Sequence, residues 1–182
     1  MRFFGSAMRF PHVQGAFRQS ITVGASQAHK VAPTVSAARA AFAEPMAVAL
    51  HAMNRAGSLL GKKVLVTGCG PIGALTIAAA RMCGAAEIVA VDVASAPLDA
   101  ARKMGADHAI DASADPEWAK RFEANKGTFD VAFEASGNER ALRSAIAAVR
   151  ARSTIVVLGM GGDMTLPMGM TVPKEVELRG SF

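Results

Sequence analysis

The sequence predicts an α/β protein built on a parallel sheet of six strands with helices on both faces. Three observations carry this: from Lys63 onward short β-branched apolar runs alternate with Ala-rich helical stretches, glycines fall where those helices should stop, and a glycine-rich turn joins the first strand to the first helix. In order, Lys63–Thr67 is strand one, Pro71–Cys83 a helix, Glu87–Val91 strand two and Ala96–Met104 a second helix, with Gly84 and Gly105 as the stops. His108–Asp111 reads as a short third strand, Asp115–Ala124 as a third helix and Phe129–Ala135 as strand four. Asn138–Arg150 follows as helix. Thr154–Leu158 and Glu175–Gly180 are strands five and six, joined by a Met- and Gly-rich connection into which no crossover helix is placed.

Ahead of this unit, Pro45–Arg55 has helical periodicity with a stop at Gly57, while residues 1–33 mix aromatics, glycines and strand-like pieces such as Ser20–Val23. Phe3, Phe4, Phe10 and Phe17 crowd into that front segment and call for a partner surface that so few residues cannot supply. The division expected is therefore 1–43 as the remnant of another domain, 44–60 as a connecting helix and 61–182 as the main domain.

Composition agrees with one full core plus an appendage, since 182 residues exceed one average domain of about 150 only slightly. Apolar residues make up 51% and charged residues 19%, which excludes intrinsic disorder, and 17 Gly without any repeat excludes collagen. The net charge of +5 is spread out, with no basic run longer than two neighbours, so no nucleic-acid partner is expected. Cys69 and Cys83 fit neither a disulfide framework nor a metal knuckle, which points to a reducing cytoplasm. The stretch between Arg2 and Arg9 is too short for the core of a signal peptide. Val64–Ala80 is uncharged, but Gly68, Gly70, Pro71 and Gly73 interrupt it, so it reads as buried strand and helix and no membrane partner is expected.

Gly68-Cys69-Gly70-Pro71-Ile72-Gly73 is a G-x-G-x-x-G run placed directly between a strand and a helix. Gly68 permits the tight turn, Gly70 lets the backbone approach a pyrophosphate, Gly73 lets helix and strand pack closely, and the helix N-terminus, opened by Pro71 and Ile72, supplies partial positive charge. Asp92 ends strand two, where a carboxylate accepts hydrogen bonds from the adenosine ribose. Together these predict a Rossmann-type doubly wound sheet in the order 3-2-1-4-5-6 that binds a dinucleotide. No Arg follows Asp92 in Val93-Ala94-Ser95-Ala96-Pro97, and its carboxylate repels a 2′-phosphate, so NAD is favoured over NADP. An S-adenosylmethionine methyltransferase shares the Gly-rich turn but suits Pro71 and six strands less. A non-catalytic nucleotide-sensing module shares the whole fingerprint.

Ser136 and Gly137, and Gly159, Met160 and Gly161, lie just past strands four and five, at the strand ends where ligands of such sheets bind. Taken singly, each glycine also serves to turn a strand into the next element. Cys69 reads as a small buried spacer, and His12, His29, His51 and His108 show no metal-ligand spacing.

The run Gly61-Lys62-Lys63-Val64-Leu65-Val66-Thr67 with the glycine motif, the Met104-Gly105-Ala106-Asp107 turn, and the Phe42-Ala43-Glu44-Pro45 stretch resemble the zinc-type medium-chain alcohol and polyol dehydrogenases from end to end. The resemblance implies NAD and zinc as cofactors, a small sugar acid or polyol as substrate, and pairing into a homodimer or homotetramer. It also implies that residues 136–137 and 159–161 meet the nicotinamide half of the cofactor. Glu44 matches the family's position at the metal, as ligand or as acceptor for metal-bound water, whereas the residue alone reads as an electrostatic helix cap. The family's front, GroES-like barrel, with its Cys and His zinc ligands, finds only a partial N-terminal segment here. The expectation is an internal piece of an enzyme, inactive by itself.

Overall fold

A computed structural model describes residues 3–8 and 10–182. Six parallel strands form one sheet in the order β3-β2-β1-β4-β5-β6, as the sequence predicts. The strands are β1 (Lys63–Thr67), β2 (Glu87–Asp92), β3 (His108–Asp111), β4 (Phe129–Glu134), β5 (Val149–Val157) and β6 (Glu177–Gly180). Central strands of a parallel sheet are covered on both faces and so read as near-continuous apolar runs. In β1 the residues Val64 and Val66 face one layer and Leu65 the other, and all three are fully buried.

The helices are α1 (Ala37–Ala41), α2 (Ala43–Ala56), α3 (Pro71–Met82), α4 (Ser95–Lys103), α5 (Glu139–Ala148) and α6 (Met168–Lys174). On one face, Met53 of α2, Ile77 of α3 and Leu98 of α4 pack with Val64, Val66 and Ile88. On the other, Leu142 and Ile146 of α5 pack with Trp118, Leu65, Val89 and Ile155. Each such side chain contributes about 1.5–3 kcal/mol by leaving water. Small residues set the spacing of α3, where Ala79 and Ala80 are wholly buried.

Three elements differ from expectation. Residues 115–124 form no α-helix but a 3-10 turn at Trp118–Phe122 and another at Ala124–Lys126, with Asn125 left-handed at φ 55°. Trp118, Phe122 and Phe129 gather there, with ring centroids 6.1 and 4.8 Å apart, and this aromatic packing overrides helix propensity. Strand five starts at Val149 instead of Thr154, because a register shift opposite residues 129–131 and a left-handed Arg152 (φ 60°) accommodate the extra residues. The connection to β6 does contain a helix, α6, despite Gly169 and Pro173. Lys174 at its end donates from Nζ to the carbonyls of Ile146, Ala147 and Val149 at 3.1, 2.6 and 2.9 Å, which satisfies carbonyls at the buried C-terminal end of α5.

The described chain separates into two compact units, residues 1–40 and 41–182. Within the first, Gly5 N donates to Gln14 O and Val13 N to Ser6 O, but Ser20–Val23 carries no strand. Phe10 and Phe17 are almost fully exposed there. Among the described residues no helix is long and apolar enough to cross a membrane.

Candidate dinucleotide site

The turn after β1 is fixed by close backbone packing. Gly68 has φ 83°, and a Cβ on it would lie 2.6 Å from Ser136 N; a Cβ on Gly73 would lie 1.8 Å from Gly68 O. Neither position tolerates a side chain. At Gly70, by contrast, a Cβ would meet nothing within 4 Å, so the backbone there borders open space. Gly70 is the N-cap of α3 with no side-chain cap, and Pro71 follows it. The first-turn amides of α3 are thus left for an anion, with the helix dipole behind them. This arrangement fits a pyrophosphate.

Asp92, half-buried at the end of β2, faces the same turn. Its Oδ2 accepts from Cys69 N at 2.6 Å, and its Oδ1 from Val93 N at 2.7 Å and Ala94 N at 3.1 Å. A carboxylate offers about four lone-pair sites, so these amides leave room for about one further direct hydrogen bond. The Gly68 amide donates to Val91 O at 2.9 Å, which ties the turn to β2 a second time. Cys69 is buried and its thiol points to Val91 O; burial, and then the nearby Asp92 charge, push its pKa up to about 12. It is a packed spacer.

A cleft of about 420 Å³ opens over the ends of β1, β2 and β4. Gly68, Asp92 and Ser136 line it together with Trp118, Asn138 and Arg140, which the sequence reading did not single out. Asn138 caps α5, accepting from Arg140 N and Ala141 N. The local signal was present in the Asn before a Glu-opened helix and in the chain's single tryptophan. A larger hollow of about 510 Å³ lies within residues 1–40, lined by Phe4, Arg18 and Thr22, but it is shallow and gathers no convergent acid or base.

Ser136 and Gly137 follow β4, and Gly159, Met160 and Gly161 follow β5, and the two loops touch. A Cβ on Gly159 would lie 2.0 Å from Gly137 N, and one on Gly161 2.2 Å from Gly137 O. Met160 is 85% exposed, so only its backbone takes part in this packing. Glu44 stands apart, exposed in the first turn of α2. Among the described residues no three His, Cys, Asp or Glu side chains gather to hold a metal ion, so the residues present do not build a zinc site.

The family described as zinc-binding dehydrogenase matches residues 71–182, and the chain belongs to it. Among individual proteins, it is 45% identical over 183 residues to the L-idonate 5-dehydrogenase (NAD(P)(+)) of Escherichia coli K12, covering 100% of this chain and 53% of that one. The sorbitol dehydrogenase of Ovis aries is 36% identical over 158 residues, 85% of this chain and 45% of its own. The crystal structure of the E. coli L-idonate 5-dehydrogenase superposes with a TM-score of 0.93 at 44% identity, over 100% of this chain and 52% of that one. A zinc-binding dehydrogenase structure from Sinorhizobium meliloti bound to NADP gives 0.85 at 27% identity, over 94% and 52%. The chain spans about half the length of these relatives.

Proposed function

We propose that this chain carries the NAD-binding half of a zinc-dependent sugar-acid or polyol dehydrogenase that oxidises L-idonate to 5-keto-D-gluconate. The observation that supports this above all is the 2.6 Å hydrogen bond joining the glycine turn to Asp92, which holds side by side the turn and the carboxylate that this reading gives to the pyrophosphate and the ribose. When bound, NAD supplies the hydride acceptor. The chain's own part is to place it: Gly68, Gly70, Pro71, Ile72 and Gly73 hold the pyrophosphate, and Asp92 holds the adenosine ribose. Ser136, Gly137 and Gly159–Gly161 bound the other half. The absence of a cation in Val93–Pro97 and the charge of Asp92 favour NAD over NADP. Glu44 serves the metal only alongside ligands that the described residues do not supply.

In this reading the protein works in the cytoplasm, in keeping with two free cysteines, one of them exposed. Exposed Met168 and Val172 on α6 and Phe182 after β6 support pairing of copies into a homodimer or homotetramer. Titration calorimetry with NAD, NADP and ADP-ribose tests the binding. NAD and ADP-ribose heat with a weaker NADP response is expected, and silence toward all three overturns the reading. NADH absorbance with L-idonate tests the chemistry: the 182-residue chain alone is expected to show no turnover.

A further inference from the structure

Glu134, the last residue of β4, is a carboxylate with 0% exposure. No Lys, Arg or His forms an ion pair with it among the described residues. Burying an unpaired charge is costly unless hydrogen bonds replace water, and here they come from one short loop. Its Oε1 accepts from Ser136 N at 2.8 Å and from the Ser136 hydroxyl, and its Oε2 from Gly137 N at 3.1 Å. Its main-chain carbonyl meanwhile accepts from Leu158 N at 2.8 Å and Gly159 N at 2.9 Å. One residue therefore holds both the loop after β4 and the loop after β5. The fit is tight, since a Cβ on Gly159 would come within 2.8 Å of Glu134 Oε2.

The order of strands reverses between β1 and β4. A dinucleotide lying across that point puts its adenosine over β2, beside Asp92, and its second nucleoside over β4 and β5. The two loops on Glu134 lie under that second half. Resting on the dinucleotide reading above, we infer that Glu134 is a positioning residue: its buried carboxylate fixes the loop at 136–137, against which the loop at 159–161, held by the Glu134 main-chain carbonyl, packs, and the two form the floor for the nicotinamide ring.

The test compares NADH with ADP-ribose, which lacks only the nicotinamide, by titration calorimetry on the full chain. Glu134→Gln keeps the shape but turns an amide NH₂ toward the Ser136 or Gly137 N–H. It is expected to weaken NADH about tenfold, the scale of about 1.4 kcal/mol, while ADP-ribose stays within about threefold. A merely structural role would weaken both alike. Ser136→Ala, which removes one donor and leaves the amides, is expected to shift the same ratio in the same direction by a smaller factor, and it serves should the Gln variant not fold. Parallel loss of both ligands, or an unchanged ratio in both variants, overturns the inference. If the unaltered chain binds neither ligand, the dinucleotide reading fails and takes this one with it.

Discussion

Cys69 N donates to Asp92 Oδ2 at 2.6 Å, so the carboxylate proposed to receive a ribose also braces the turn proposed to receive a phosphate. The two functions are mechanically joined.

Asp92→Ala removes both at once. NAD binding is expected to weaken by about 1–3 kcal/mol, while NADP, no longer facing a negative charge, is affected less, and the preference between them narrows. Calorimetry with both nucleotides reads this directly; an unchanged preference would show that Asp92 does not face the ribose.

Gly73→Ala drives a Cβ to 1.8 Å from Gly68 O, a backbone atom that cannot swing aside. A stability loss of about 1–3 kcal/mol is expected in urea unfolding, together with loss of nucleotide binding. Gly70→Ala, with open space at that Cβ, should fold normally and lose binding only.

The two thiols should separate cleanly. Cys83 is exposed, while Cys69 is buried with its pKa pushed up to about 12, so it has almost no thiolate near pH 8. Alkylation with iodoacetamide followed by peptide mass analysis should label Cys83 first and Cys69 only after unfolding.

Asp107 lies below the ordinary aspartate value of 3.8: burial opposes this, but the hydrogen bond from Ile88 N and the Arg81 guanidinium together outweigh it. A folded-state pKa below the unfolded one gives stability that is present above about pH 4 and lost as pH falls through the folded value. With its side chain 40% exposed, solvent screening limits the effect. Asp107→Asn should cost about 1 kcal/mol near neutral pH, with the difference from the unaltered protein closing in acid, as followed by thermal unfolding across pH.

What could be read in advance followed from local chemistry. The strand order and the glycine turn were legible because apolar β-branched runs and G-x-G-x-x-G each carry their own steric logic at short range. Residues 115–124 were not, because three aromatic rings separated along the chain decide that segment only after folding. α6 was hidden behind Gly169 and Pro173, whose propensities are offset by Lys174 anchoring the end of α5. Glu134 gave little sequence sign, since two of its partners are main-chain amides that any residue type provides and the third is the hydroxyl of a nearby serine.

The chain has one tryptophan, Trp118, 3% exposed in the wall of the cleft that also holds Asp92. A guest settling there alters the surroundings of that single indole. The protein thus carries its own optical gauge, and occupancy can be followed by intrinsic emission with no dye attached.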